Sequence, residues 1–530
     1  MNNLFVSSFL WCRRKFGQPV DGASLGLFRI LWGVLMVWEG VRKLPKATGI
    51  YSPDYFHFKY SLTPFVEPLP ANWMVSAEIW IMIIAAVMVT VGFGFRFFNT
   101  LFAVIFTHLF LIEKVYYNNH FYLTCLIAFM LSLTAADQCY SVKSMIRRSK
   151  GNVPFSVPAW NLIVLRMQVL IVYFFGGVAK LQGDWLQGEP LRHWLGSKPK
   201  EMIGAPLSWF PEILKQEWFV WSLSYGGFFF DLLIGFFLWN RKTFWPAVAV
   251  VVMFHVFNNA LFKIGLFPFI GISLLVLFFE PHWPRPILAK IPGLEKHSGA
   301  FRGKKKQDSG ASETLSGATK LASVGLTWFV LAYFFVQFLL PFRTISYGGN
   351  PSWAEVGHYY SWRMMLRDKD AYLKFVFNPS EAEKILEKLP PEEMPNIGKS
   401  HLQKMVKNPH MILQYAHALD DTFEENGLEG VEIRAVSIAS LNGRPFQLMI
   451  DPSVNLAEAS YGFFEVPGWI VPLEQDKRPG KYPDSVEERR GAIKKVFDSE
   501  VSPIISKIPK KAFSKPIEEL LPKEESLPKE

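Results

Sequence analysis

The chain has 530 residues, 50% of them hydrophobic and 16% aromatic, and a formal net charge of +10. Long apolar stretches followed by a charged last third define a polytopic membrane protein carrying an extramembrane domain. The basic excess sits in a few loops and near the tail with no interleaved RNA-binding motif, so it is a topology signal, not a nucleic-acid footprint. The cysteines, Cys12, Cys125 and Cys139, offer neither a disulfide scaffold nor a cysteine metal site.

In chain order, Arg13, Arg14 and Lys15 precede a first apolar helix. No small-residue cleavage pattern follows, so that helix is expected to be retained. Runs that span or nearly span hydrocarbon lie at 24–42, 74–95, 97–113, 120–136, 160–181, 218–239, 245–262, 264–280 and 321–341. They predict an α-helical polytopic membrane bundle of about nine transmembrane helices, several short of the ~20-residue standard. Basic groups before the first helix, after the fourth (Lys143, Arg147, Arg148, Lys150), after the sixth (Arg241, Lys242) and before the ninth (Lys304 to Lys306) all fall on one, cytoplasmic, side. The region after Pro341 then lies outside the cell or in a lumen.

The loop 281–320 reads as a flexible linker, and beyond 342 period-two stretches give way to a helical segment and a hairpin signal at Asn442-Gly443. This predicts a transmembrane part at 1–341, an extracytoplasmic α+β domain at 342–510 and a disordered tail at 511–530.

Polar residues inside the apolar runs are the chemical candidates. Arg166, Tyr173 and Lys180 recur every seven residues on one helical stripe, with Gly176 and Gly177 one turn below the lysine. Lys180 is either an interfacial anchor over a close-packing glycine pair or a base whose free amine is favoured by dehydration. Asn118, Asn119 and His120 open the fourth run, and His255, Asn258 and Asn259 stripe the seventh, all toward the outer side reached by Lys180. That convergence suggests an outward-facing ligand site. Asp231 and Arg166 both read as deeper and are expected to form a structural charge pair. Closely spaced histidine boxes, HExxH, Walker A, GxGxxG with its acidic partner and GxSxG are absent from the sequence, and no metal is expected.

Five strings, YNNHFYLTCLIAF, VPAWNLIVLRMQVLIVYFFGGVAKLQGDW, LRHWL, FHVFNNALFKIGLFPF and YYSWRMMLRDKDAYLKF, together resemble the vitamin K-dependent gamma-carboxylases. The resemblance runs in order from about residue 20 to 465. It implies an enzyme that couples oxygenation of vitamin K hydroquinone to carboxylation of protein glutamate. Lys180 would remove a hydroquinone proton; addition of O2 would yield a basic alkoxide that abstracts the glutamate γ-hydrogen, and the carbanion would attack CO2. His120 and Asn119 would assist at the quinone and carbanion site, and Tyr173, Gly176, Gly177, His255, Asn258 and Asn259 would bind the quinone. Arg192 and His193, in LRHWL, are candidates for the glutamate carboxylate, Arg through bidentate pairing, or for an interfacial anchor with Trp194.

The implied partners are a glutamate-containing peptide or protein, a lipid quinone and the membrane. The sequence departs from longer members of the family at Ala179, where they carry a second lysine, and in a shorter extramembrane region, which bears on propeptide recognition. The first outer loop and the domain after 342 also lack the cysteines for a disulfide between them. Two other readings are a quinone epoxidase without carboxylation and a non-enzymatic membrane transporter or scaffold.

Overall fold

Each apolar run forms a helix in the computed structural model, which describes residues 2–149, 156–181, 183–196, 210–262, 264–290, 312–379, 381–390, 394–462, 464–474 and 479–508. The basic group Lys304 to Lys306 and the tail expected at 511–530 lie outside the described residues. An N-terminal helix α1 (Asn2–Gly17) leads into a short strand β1 (Pro19–Asp21), which pairs antiparallel with β2 (Ser156–Pro158). The apolar helices are α2 (Ala23–Lys43), α3 (Asn72–Val91), α4 (Phe95–Ile112), α5 (Asn119–Leu133), α6 (Trp160–Ala179), α7 (Glu217–Trp239), α8 (Phe244–Phe262), α9 (Phe267–Leu275) and α10 (Ser312–Ser346).

Among the described residues, seven helices are long and apolar enough to cross a membrane: α2, α3, α4, α6, α7, α8 and the Val324–Ser346 part of α10. The 15 residues of α5 and nine of α9 rise only about 22 and 14 Å, against a hydrocarbon thickness of about 30 Å. The eighth run leaves helical geometry after Leu275 and continues as turns.

Sequence neighbours pack as spatial neighbours from α2 through α9, and α9 returns onto α2, closing a ring; α10 packs on α6 and α1. The outer faces carry large exposed apolar side chains such as Trp80, Phe97 and Trp245, as a hydrocarbon solvent requires.

The α6 and α7 backbones approach closely. A Cβ on Gly177 would sit 2.6 Å from the Leu232 backbone nitrogen, and one on Gly235 would sit 2.5 Å from the Leu170 side chain. These two glycines set the register of the pair, as small residues do where helices meet without a hydrophobic driving force. Lys180 therefore lies level with the middle of α7, whose first three turns project past the end of α6.

The C-terminal region is α+β, as expected. Strands β3 (Lys369–Asn378), β4 (Glu432–Leu441) and β5 (Gln447–Ile450) form an antiparallel sheet in the order β3-β4-β5. The turn after β4 places Asn442 and Gly443 at φ 54° and 74°, the left-handed geometry that the Asn-Gly signal requires. The helical segment expected between the strands is broken at Asn408-Pro409. Pro409 fits the first turn of α11 (Pro409–Glu425), and the Asn408 side chain accepts from the His410 and Met411 backbone N–H groups, capping it. Leu419 and Phe423 of α11 pack with Phe377 and Ile433 on one side of the sheet. On the other side, Val376 and Val436 meet Ile493 and Phe497, from and just past α12 (Val486–Val496).

Candidate functional site

Lys180 caps the C-terminus of α6 and is 5% exposed. Its ammonium donates to Asp231 Oδ2 at 2.5 Å and lies 4.9 Å from the centre of the Trp185 ring. Asp231 is 4% exposed, so both charges are out of water and each compensates the other. The dehydrated lysine anticipated from the sequence is thus one half of a buried ion pair.

This corrects the pairing expected between Asp231 and Arg166. Arg166 instead donates to the Leu277 and Phe279 carbonyls at 2.7 and 3.4 Å. The reason is register: Arg166 and Lys180 are 14 residues apart on the chain, about 21 Å along a helix, and the Gly177 and Gly235 contacts bring Asp231 to the lysine end. Asp231 lies well inside α7 (Glu217–Trp239), but the first turns of that helix project beyond α6, so Asp231 sits level with Lys180 and not with Arg166.

The glycines divide the work. Gly177 lets the α7 backbone approach, whereas a Cβ on Gly176 would come within 3.1 Å of Asp231 Oδ2 and 3.0 Å of Met364 Cε. Tyr173, one turn lower, donates its hydroxyl to His255 Nε2 of α8 at 2.7 Å or accepts from it, according to the tautomer. His255 is fully buried beneath Gly271 of α9, where an added Cβ would lie 2.3 Å from Nε2. The Phe267 ring of α9 lies 5.5 Å from His255 and 6.1 Å from His120 of α5. Four helices thus meet here, with Phe267 beside both His255 and His120, and Tyr173 joined to His255. Asn258 and Asn259 are half-buried one turn further along α8.

Asn119 belongs to the seam with the C-terminal region. Its Nδ2 donates to the Arg363 carbonyl at 3.0 Å and its Oδ1 accepts from the Tyr117 hydroxyl at 3.1 Å. The Tyr117 oxygen in turn accepts the Tyr360 backbone N–H at 2.7 Å.

These contacts hold the segment Tyr359–Leu366 down in the mouth of the ring. Trp362 is fully buried in the bundle core with its ring 4.8 Å from Tyr122, and Met364 reaches Gly176. Tyr360, Trp362 and Met365 all have φ between 55° and 61°, a left-handed region that bulky residues rarely occupy. Three such residues in six concentrate strain in one loop, a pattern associated with ligand clamps and active sites. Sequence reasoning singled out the SWRMM string only through resemblance; nothing in its periodicity shows that the loop turns back into the membrane part.

The loop after Lys180 is tied to the same region. Asp184 accepts two hydrogen bonds from the Arg444 guanidinium, at 2.6 and 2.5 Å, and a third from Asn442 Nδ2 at 2.8 Å. Arg192 is bidentate on Glu217 at 2.8 and 2.9 Å and also bonds Glu189. His193 Nε2 lies 3.1 Å from Asp368, with its ring against Tyr482. Burial disfavours the Asp368 carboxylate, but the hydrogen bond from His193 together with the His193 and Lys407 charges more than offsets this and holds its pKa below the usual range. The structure therefore groups Lys180 with Asp231, groups Tyr173 with His255 near His120, and sets Arg192 and His193 apart on carboxylates of the chain itself.

A ring of apolar helices long enough to span a membrane, closed at one end by a strained, inserted loop of an α+β region, defines a multi-pass membrane protein. A family model described as "HTTM domain" matches residues 17–283, and one described as "Vitamin K-dependent gamma-carboxylase, lumenal domain" matches residues 323–476. The chain belongs to the vitamin K-dependent gamma-carboxylase family, and its C-terminal region is of the lumenal type. No solved structure matches it.

Proposed function

We propose that this chain couples oxygenation of a lipid vitamin K hydroquinone to γ-carboxylation of polypeptide glutamate, with Lys180 as the initiating base. The observation that carries the reading is the Lys180–Asp231 pair, buried beside Trp185 and under the strained Tyr359–Leu366 loop. A lysine acting as a base presents its neutral amine, so the ion pair with Asp231 corresponds to the state after Lys180 has taken a proton, and that proton must leave before each turnover. The pair thereby stabilises the product of the first proton transfer. In the balanced reaction, hydroquinone, O2, CO2 and a glutamyl residue become quinone epoxide, water and a γ-carboxyglutamyl residue.

His120 and Asn119 assist where quinone and glutamate meet, and Tyr173, His255, Asn258 and Asn259 hold the quinone, with Gly176 leaving space beside Asp231. Arg192 and His193 serve the glutamate side only by exchanging Glu217 or Asp368 for the incoming carboxylate. Trp362 and its neighbours keep bulk water from a glutamyl carbanion that a proton would quench.

The test is purified protein with reduced vitamin K, a glutamate peptide and labelled bicarbonate. Wild type fixes label and forms epoxide, and Lys180→Ala abolishes both. Wild type that does neither sinks the proposal, while epoxide without fixed label selects the uncoupled epoxidase.

A further inference from the structure

A polar cavity of about 180 Å³ opens at the seam between the bundle and the C-terminal region. Five basic side chains line it, Lys114, Arg367, Lys369, Lys404 and Lys407, against two acidic ones, Glu355 and Asp368. Both acids already have partners. Glu355 pairs with Arg367 and with Lys369, at 3.1 Å to the latter, and Asp368 faces His193. Among the described residues no carboxylate lies within ion-pair distance of Lys114, Lys404 or Lys407.

Lys114 is buried, with its Nζ 2.5 Å from His410 Nδ1 and 4.7 Å from the Tyr359 ring centre. Burial and the nearby Arg367 charge push its pKa down to about 7, outweighing the opposite pull of Glu113, whose carboxylate is already bonded to His57 and His401. Buried charge of one sign is costly unless something compensates it.

The cavity is also coupled to the site. Tyr117 forms part of its wall, and the same hydroxyl donates to Asn119. A ligand here is therefore separated from Asn119 by one phenol ring. The volume exceeds what a single carboxylate occupies, and Lys404 is exposed at the rim.

We propose that this cavity binds carboxylates of the polypeptide substrate that flank the reacting glutamate, so that the protein selects segments dense in acidic residues. This rests on the carboxylase reading above. It assigns substrate recognition to charge density at the seam, and it is separate from the reacting position beside Lys180. A γ-carboxyglutamyl product, with one more negative charge than glutamate, is held more tightly by the same basic side chains.

The experiment uses full-length protein in detergent and a fluorescein-labelled decapeptide with six glutamates, compared with its glutamine counterpart. Expected is saturable binding of the glutamate peptide that weakens with added salt, and none of the glutamine peptide. Lys404→Gln with Lys407→Gln, both away from the core, should weaken binding roughly five- to tenfold. The charge reversal Lys407→Glu should weaken it further. Peptide-independent oxygen uptake with vitamin K hydroquinone is measured on the same variants and should not change.

Equal binding of the two peptides, or unchanged affinity in all the lysine variants, overturns the proposal. So does displacement of the peptide by millimolar hydrogen carbonate or by anionic lipid vesicles alone, which would assign the cavity to those anions. Absence of oxygen uptake in wild type with peptide binding intact would instead count against the carboxylase reading.

Discussion

Replacing Asp231 by asparagine tests the central pair most directly. The substitution keeps the shape of the side chain but leaves the Lys180 ammonium, 5% exposed, without its counter-charge. Breaking a buried pair by removing one partner costs about 3–5 kcal/mol, whereas replacing both partners by apolar residues of similar volume is close to neutral. Asp231→Asn should therefore lower stability by about 3–5 kcal/mol, and Lys180→Met alone by a similar amount. The double variant Lys180→Met with Asp231→Leu should recover most of the loss while remaining inactive.

Chemical or thermal unfolding in detergent, followed by tryptophan fluorescence, reads the stability, and hydroquinone-dependent oxygen uptake reads the chemistry. The cycle should show a coupling of at least about 2 kcal/mol. Arg166→Gln combined with Asp231→Asn should be additive, because Arg166 donates to carbonyls about four turns away. Additivity between positions 180 and 231, or coupling between 166 and 231, would refute the register argument.

Gly177→Val places side-chain carbon against the Leu232 backbone, 2.6 Å from its nitrogen; overpacking of at least about 2–3 kcal/mol should show as a loss of folded protein on size exclusion. Tyr173→Phe removes the hydrogen bond to His255, and should cost about 1 kcal/mol while raising the KM for hydroquinone more than it lowers kcat. Arg444→Met leaves Asp184 with only the Asn442 bond and should release the loop after Lys180, seen as faster proteolysis near Asp184 and reduced oxygen uptake.

Binding of the acidic peptide should also depend on pH. Lys114, faced by Arg367, Glu113 and His410, has its pKa lowered to about 7. Its charged form attracts carboxylates, so affinity is full below about pH 7 and falls as pH rises past it, by at most ~tenfold per unit. Anisotropy at pH 6 and pH 8 checks this, and stronger binding at pH 8 would contradict it.

The spans were legible because membrane helices must be apolar for nearly their whole length, and every run located in the sequence became a helix. The hairpin at Asn442-Gly443 was legible because few residues accept positive φ. Register was not: the sequence gives the ends of α7 only to within a few residues and says nothing about how far it projects past α6. Lys180 could thus be singled out, while its partner was sought at the wrong depth. Gly177 and Gly235 were the signal available, two small residues able to let α6 and α7 meet at fixed points. The inserted Tyr359–Leu366 loop was illegible for another reason. Its conformation is imposed by packing of Trp362 in the bundle and by hydrogen bonds from Asn119 and to Tyr117, so no local propensity announces it.

The three hydrogen bonds that Asp184 accepts from Asn442 and Arg444 span 258 and 260 residues of sequence. They lie four residues beyond Lys180, so the hairpin turn and the lysine share one anchorage. Swapping parts between homologues is thereby constrained: a chimera joined in the linker before α10 would inherit the loop from one parent and the turn from the other. Active hybrids must exchange Asp184, Asn442 and Arg444 as a set. Separately expressed halves should recover function only when both retain their side of this joint.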